Sequence, residues 1–381
     1  MGQQGCCESN ANKKALLKSS YRHSENNEKQ EYISQMKNQN NIEDSIYSNL
    51  SQKQSGIPYN NQYSSNFSEV NKGFINQQSA ESIYSYNLKK ENCNFRCINS
   101  IDNSHNDNIV SLIELMSGNI ASGSYDQTIK IWNLNEKKCI KIIKENAEVL
   151  CLLEFEHNKL LVGTKKEEIN LWDLENSNDE IIYSFEGHTM WVNCLVKIND
   201  DNFASCSNDT NIIIWNWKNK SLEYILEGHL NAVSTMILLF NGNLCSGSLD
   251  LTIKIWDLKN RNCIETLNGN KHWVLSLCQL SNGDILSSDG KKIKIWSTNY
   301  KYKNEIKGHS NKIRALCQIS KDLFVSASYD KTIKIWDINS MDMVQNLEGH
   351  LSKVNCVIKH IFGYLISCSD DKTIKVWETS N

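Results

Sequence analysis

The chain has 381 residues, of which 40% are hydrophobic and 22% charged, and its formal net charge is −3. This length allows one large domain with a substantial core and a tail. The small net charge gives no general attraction to nucleic acid, so no nucleic-acid partner is expected. No run of 18 apolar residues occurs, so no membrane-spanning helix is predicted, and no secretory hydrophobic segment follows Met1.

Residues 1–91 differ in composition from the rest of the chain. The segment is rich in Asn, Gln and Ser, as in the run Gln35–Ser45, and its few aromatic and aliphatic residues follow no helical period. Such a segment cannot bury enough apolar surface to offset the entropy lost on folding. We therefore predict a disordered, low-complexity tail over residues 1–91.

The start of this tail carries a candidate lipidation signal. Gly2 after Met1 fits the beginning of the myristoylation pattern, although Cys6 stands where Ser or Thr is usual. Cys6 and Cys7 can take palmitate, and a second signal is needed because one myristoyl chain binds membranes only weakly. The prediction is acylation at Gly2, Cys6 and Cys7 and a cytoplasmic-side membrane anchor. The alternative is a chance match in a low-complexity segment.

A repeat runs through residues 92–381. Each unit ends in a β-branched run that closes on tryptophan, such as TIKIWN or TIKVWE, and the intervals between these tryptophans are 40, 43, 41, 40, 40 and 41 residues. The seven positions are Trp132, Trp172, Trp215, Trp256, Trp296, Trp336 and Trp377. A fixed period of this size indicates one supersecondary unit stacked seven times.

The residues that accompany these tryptophans resemble the WD-repeat family. A Gly-His pair precedes four of the tryptophans, and Ser104-His105 precedes a fifth, and the His always lies 27 positions before the Trp. The resemblance implies an all-β fold, a seven-bladed β-propeller with four strands in each blade. The tail lacks the heptads of a G-protein β subunit, which argues against that member of the family.

Five units also share a Ser and a turn Asp between His and Trp, and the resemblance implies that the four residues form a structural hydrogen-bond network. A hydrolase triad would occur once beside an oxyanion hole, whereas five copies indicate a scaffold. The network residues are His105, Ser122, Asp126 and Trp132; His188, Ser205, Asp209 and Trp215; His229, Ser246, Asp250 and Trp256; His309, Ser326, Asp330 and Trp336; His350, Ser367, Asp371 and Trp377.

The second and fifth units depart from this pattern. Glu145 and Lys166 stand at the His and Asp positions of the second unit, and Asn270 stands near the His position of the fifth. These units are expected to be the least stable part of the ring. Their divergence reflects either tolerated drift or room for a partner.

The segment Cys93–Ile101 is a strand-like run left over before the first unit, while the last unit lacks a fourth strand. We predict that this segment fills the open edge of the last blade and closes the ring. The fourteen cysteines of the chain lack paired CxxC spacing, so we expect reduced structural thiols, no metal site and no cofactor.

The resemblance also implies a partner-binding face, where inter-blade loops and inter-strand turns gather. Several large aromatic and basic residues fall at registers that commonly point there, and aromatics and arginine are typical of binding hot spots. The candidate residues are Tyr125, Trp191, Asn193, Trp273, Lys312, Arg314, Tyr329, Lys353 and Asn355. The aromatics among them are expected to face solvent. The basic group on the sixth and seventh units suits an acidic or phosphorylated peptide; the alternative is that these residues only cover the channel mouth.

These features favour a non-catalytic scaffold or adaptor that binds other proteins. The alternative function is a substrate receptor of a ubiquitin ligase, although no F-box precedes the repeats and Trp256–Lys259 only approximates a WD-x-R docking motif. No phosphate loop, HExxH or GxSxG motif indicates an enzyme.

Overall fold

The structure is a computed structural model that describes residues 94–176 and 180–379. All the regular secondary-structure elements in these residues are β-strands. The described residues contain no helix that is long and apolar enough to cross a membrane. The predicted tail over residues 1–91 lies outside the described residues.

The 28 strands form seven antiparallel sheets of four strands, so the seven-bladed propeller is confirmed. Six blades are continuous in sequence. The first blade contains β2 (Ile109–Glu114), β3 (Ile120–Ser124), β4 (Thr128–Asn133) and β5 (Lys138–Lys144). The second contains β6 (Val149–Glu156), β7 (Lys159–Thr164), β8 (Ile169–Asp173) and β9 (Ile181–Phe185). The third contains β10 (Val192–Lys197), β11 (Asn202–Ser207), β12 (Ile212–Asn216) and β13 (Ser221–Leu226).

The remaining blades follow the same order. The fourth contains β14 (Val233–Leu238), β15 (Leu244–Ser248), β16 (Ile253–Asp257) and β17 (Asn262–Leu267). The fifth contains β18 (Leu277–Gln279), β19 (Ile285–Asp289), β20 (Lys292–Trp296) and β21 (Tyr302–Lys307). The sixth contains β22 (Ile313–Gln318), β23 (Leu323–Ser328), β24 (Ile333–Asp337) and β25 (Met343–Leu347). The seventh contains β26 (Val354–Lys359), β27 (Leu365–Ser369), β28 (Ile374–Thr379) and β1 (Phe95–Ile101).

The predicted closure of the ring is present for the described part of the segment. β1 pairs with β28, with Phe95 opposite Thr379 and Ile101 opposite Ile374. Phe95 is buried among side chains of the sixth and seventh blades, and its backbone N–H donates to the Gln345 side chain of the sixth blade at 2.8 Å. The first strand of the chain therefore completes the last blade.

Seven hydrophobic clusters hold the described ring together, and each cluster joins two neighbouring blades. Trp215, for example, packs with Phe155 and Phe185 of the preceding blade. The first strands of successive blades contact one another around the whole ring, which places these strands on the inside. A single blade cannot bury both of its faces, so the core exists only between blades.

A β-bulge recurs at the start of the inner strand in six blades. In the sixth blade Ile313 pairs with Ser328 and Ala315 pairs with Ala327, which leaves Arg314 outside the ladder. The equivalent unpaired residues of the other five blades are Val110, Leu150, Asn193, Ser234 and Asn355. Because a bulge changes the direction of a side chain, it determines which groups point away from their own sheet.

Candidate functional site

In five blades the structure brings the registered His, Ser, Asp and Trp residues into one chain of hydrogen bonds. In the sixth blade the Trp336 indole donates to Ser326 Oγ at 2.8 Å, and Ser326 Oγ lies 2.7 Å from His309 Nε2. His309 Nδ1 lies 2.8 Å from an oxygen of Asp330. The same chain links the network residues of the first, third, fourth and seventh blades.

The turn aspartates are the anionic ends of these chains. Burial opposes ionisation of Asp330, but hydrogen bonds from His309 and Thr332 and the backbone N–H of Ser310 hold its pKa well below the ordinary range. Burial lowers the pKa of His105 and His229, which favours neutral rings that donate from Nδ1. Each network thus fastens the turn between the second and third strands to the preceding inter-blade loop.

A backbone hydrogen bond joins two of the repeat positions from which the candidate partner-binding residues were taken. In six blades the residue before the turn Asp, or its equivalent, donates its N–H to the carbonyl three residues after the His position, as from Tyr125 to Asn108 at 3.0 Å and from Tyr329 to Lys312 at 2.9 Å. Both registers therefore lie at the same end of each blade. We call this end of the ring the turn face.

Lysines stack on the aromatic rings of the turn face. Lys165 of the second blade lies between two rings, with its Nζ 4.3 Å from the ring centre of Tyr125 and 5.1 Å from that of Trp191. Lys312 Nζ lies 4.4 Å from the ring centre of Trp273, on the preceding blade. Tyr125, Trp191 and Trp273 are partly exposed, so they present polarised aromatic surface together with cations.

The basic residues predicted on the sixth and seventh blades contact different neighbours. Lys353 Nζ lies 5.1 Å from the ring centre of Tyr329 and 3.9 Å from a carboxylate oxygen of Asp370. The Asn355 side-chain amide donates to Asp370 at 2.7 Å and to the Ile109 carbonyl of the first blade at 2.9 Å. Lys312 instead stacks on Trp273 of the fifth blade, so Lys312 and Lys353 contact different aromatic rings.

Several predicted partner residues are less accessible than expected. The expectation that Tyr329 faces solvent is wrong, because only 8% of it is exposed. Asn193 and Asn355 are also buried, since their amides bridge to the next blade. Arg314 is buried as well, at the bulge of β22. These residues are buried because of the bulge and because neighbouring blades cover them. The repeat spacing in the sequence indicates neither feature.

The second blade rebuilds the network with different residues. The Glu145 carboxylate accepts the Trp172 indole N–H and, at 3.0 Å, the Asn170 amide N–H. Ser184 in turn donates to Asn170 at 2.7 Å. The second unit departs from the sequence pattern at the His and Asp positions, and the Trp172 N–H nevertheless has a partner. The sequence feature that could have predicted this bond is Glu145, a hydrogen-bond acceptor at the position that histidine occupies in other units.

The fifth blade retains only part of the network. Trp296 donates to Ser287 at 2.8 Å, and Asp289 accepts the backbone N–H groups of Lys271 and His272. Lys294 Nζ pairs with Asp289 at 3.1 Å, and His272 Nδ1 lies 3.2 Å from the same carboxylate. Asn270 is buried, and its side-chain oxygen and nitrogen have no hydrogen-bond partner.

A second set of inter-blade contacts was absent from the sequence-based prediction. Residues at the end of an inner strand hydrogen bond to the first turn of the preceding blade. Glu154 accepts the N–H of Met116 at 2.5 Å, Gln279 that of Phe240 at 2.8 Å and Gln318 that of Ser281 at 2.7 Å. Glu, Gln and Lys at this register look like ordinary surface residues in the sequence, so no local signal identifies them.

The cysteines of the described residues are free thiols, and Cys151, Cys194, Cys206, Cys245, Cys356 and Cys368 are buried. No group of His, Cys, Asp and Glu in the described residues could hold a metal ion. The predicted acylation residues Gly2, Cys6 and Cys7 lie outside the described residues.

Comparison with known proteins supports the repeat assignment. Six segments match the family model described as "WD domain, G-beta repeat": residues 88–133, 179–216, 220–257, 261–297, 300–337 and 341–378. The segment between the first two matches contains most of the second blade, where Glu145 replaces histidine.

The chain is also similar to three named proteins. Mitochondrial division protein 1 of Eremothecium gossypii is 32% identical over 131 residues, which cover 32% of this chain and 18% of that protein. Ribosome biogenesis protein YTM1 of Debaryomyces hansenii is 36% identical over 104 residues, covering 25% and 22%. Target of rapamycin complex subunit LST8 of Saccharomyces cerevisiae is 29% identical over 110 residues, covering 28% and 36%. The match thus spans 18% to 36% of these relatives' lengths.

Proposed function

The chain belongs to the WD-repeat family of β-propellers, and we propose that it is a non-catalytic scaffold that binds other proteins through its turn face. The observation that carries this proposal is the line of stacked cations and aromatics formed by Tyr125, Lys165 and Trp191 across the first three blades. Such groups are large, partly exposed and held in place, which reduces the entropy lost when a partner binds.

The rest of the turn face supports the same function. Trp273 and Lys312 form a second cation–aromatic pair on the fifth and sixth blades. The similar proteins include a ribosome biogenesis protein and a subunit of the target of rapamycin complex, and a role in assembling proteins is consistent with both. The partners we propose are proteins or peptides with acidic or phosphorylated groups, because the cations of this face attract them.

We further propose that the scaffold is held at the cytoplasmic side of a membrane by myristate on Gly2 and palmitate on Cys6 and Cys7. The support is the residue order at the start of the chain, where a Gly is followed by two adjacent thiols. Two acyl chains give stable attachment, whereas one gives only weak, reversible binding.

Affinity capture with a C-terminally tagged chain tests the scaffold. Trp191→Ala and Trp273→Ala should each weaken the principal captured partner by about 2 kcal/mol or more if these rings are hot spots. Phe362→Ala is the matched control, because Phe362 is an exposed aromatic outside the turn face, between β26 and β27. Equal capture by all three variants would contradict the proposal.

Fractionation and mass spectrometry of the N-terminal peptide test the anchor. Gly2→Ala should release the protein from membranes, and Cys6→Ser with Cys7→Ser should leave weak binding, because one chain remains. A wild-type chain that is fully soluble and carries no lipid would refute this part alone.

A further inference from the structure

Arg314 is a buried cation without a partner. Only 1% of the residue is exposed, and its Nε, Nη1 and Nη2 have no hydrogen-bond acceptor in the structure, which describes residues 94–176 and 180–379. An uncompensated buried charge costs several kcal/mol. Arginine is also rare here, since only four of the 41 basic residues of the chain are arginines. The wild-type ring therefore keeps a costly group at this position.

The bulge of β22 explains where this side chain points. Arg314 is the residue left outside the ladder between Ile313 and Ala315. At the same register Asn193 and Asn355 donate to carbonyls of the next blade, those of Val233 and Ile109. The guanidinium of Arg314 makes no such bond within the described residues.

The charge of Arg314 acts on the opposite side of the ring. Cys194 belongs to the third blade, three positions away from the sixth. A hydrogen bond with Cys206 is the main cause that lowers the pKa of the Cys194 thiol, and the positive charge of Arg314 acts in the same direction. Arg314 lies outside the ladder of β22, and the first strands line the inside of the ring, so this residue lies on the axial side of its blade.

The bulge residues around Arg314 offer it no anion. They are apolar or neutral polar, namely Val110, Leu150, Asn193, Ser234 and Asn355. Asp370, the acidic residue of the adjacent seventh blade on this face, already accepts from Asn355 at 2.7 Å and lies 3.9 Å from Lys353 Nζ. The described residues therefore provide no hydrogen-bond acceptor for the guanidinium.

We propose that the axial end of the turn face is an oxyanion site, in which Arg314 receives one carboxylate group of a partner protein. A guanidinium and a carboxylate match in charge and form two parallel hydrogen bonds. A phosphate dianion would bring a second charge, and the turn-face lysines of the sixth and seventh blades, Lys312 and Lys353, already lie on Trp273 and near Asp370. Only the source of the carboxylate rests on the proposed scaffold function.

The site can be tested without a partner. The full chain is labelled with ¹⁵N, and the arginine Nε–H resonances, four in all, are followed while propionate, phosphate or chloride is added at constant ionic strength. The resonance of Arg314, assigned by its loss in Arg314→Asn, should shift and saturate with propionate. An equal response to chloride, a response to phosphate alone, or no response would overturn the proposal.

The variant Arg314→Asn provides a second, independent measurement. Asn is the residue of the third and seventh blades at this register, so it can bridge to the Val354 carbonyl of the next blade. Without added anion the variant should melt about 2 °C or more above the wild type, because the unpaired charge is gone. Propionate should stabilise the wild type and the control Arg261→Asn, whose arginine is exposed beside Tyr224, but not Arg314→Asn. A lower melting temperature with an intact propionate response would refute the site.

The captured partner separates this inference from the proposed function. Arg314→Asn should weaken capture at least tenfold if the partner inserts a carboxylate. Loss of capture with Trp191→Ala but not with Arg314→Asn would refute the oxyanion site and leave the scaffold intact. A propionate response without any effect of Trp191→Ala or Trp273→Ala on capture would do the reverse.

Discussion

The Glu145 carboxylate accepts the Trp172 indole N–H directly, where five other blades place a serine and a histidine. One side chain thus replaces two residues and reaches across the same distance. The replacement introduces a buried acid in place of a neutral imidazole. As a result, the stability of the second blade should change with pH in the opposite direction to that of the blades with a turn aspartate.

Burial raises the pKa of Glu145 above the ordinary glutamate value, and the bonds from Trp172 and Asn170 only partly offset this effect. A folded-state pKa above the unfolded value stabilises the ring at low pH, and this contribution is lost as pH rises through the folded pKa. The wild type should therefore lose stability relative to Glu145→Gln as pH rises from the ordinary glutamate range through the raised pKa. Urea unfolding across this range measures the difference. Glu186→Gln, at an exposed position, is the control, and parallel curves for Glu145→Gln and wild type would contradict the assignment.

Asp330→Ala should destabilise the sixth blade by about 1–3 kcal/mol, because His309, Thr332 and the Ser310 N–H lose their acceptor. The folded-state pKa of Asp330 is depressed, so its contribution is present above the ordinary aspartate range and is lost as pH falls toward the folded value. The gap between wild type and variant should close in acid. Lys166→Ala, at the equivalent exposed position of the second blade, should cost close to nothing. Similar losses at both positions would mean that the turn network contributes little.

Removing the closing strand should destabilise the whole ring. Deletion of residues 1–88 retains β1, whereas deletion of residues 1–102 removes it and exposes the edge of β28. Thermal melts of both truncations should therefore differ. Phe95→Ala tests the same strand in the full chain. It should lower the free energy of unfolding by about 3 kcal/mol, because Phe95 is buried, with 3% exposed. Equal melting temperatures for the two truncations would contradict closure by this strand.

The buried thiols should be unreactive in the native state. Burial raises the pKa of Cys151, Cys206 and Cys368 well above the ordinary thiol value, which suppresses the thiolate. A thiol reagent should modify the exposed Cys97 first and these residues only after unfolding, as measured by peptide mass spectrometry. Rapid native labelling of Cys151 or Cys368, at the rate seen for Cys97, would show that the blades open locally.

The sequence alone determined the architecture, because the repeat is local chemistry. The β-branched runs before Trp215 and Trp336 and the fixed distance from each histidine predict strands and turns within one blade. The strand-like segment before the first unit predicted closure of the ring, because the last unit lacks a fourth strand and would otherwise leave an unpaired sheet edge. These inferences need only the spacing of residues within about 40 positions, which is the length of one unit.

The tertiary structure alone decided the direction and burial of the side chains at the face. Arg314 and Asn193 occupy equivalent bulge positions, yet the Asn193 amide donates to the next blade, whereas the Arg314 guanidinium has no acceptor among the described residues. Tyr329 is covered although its register suggested exposure. Contacts such as Glu154 with Met116 join residues of successive blades, and a repeat period carries no information about which side chains meet across that interface.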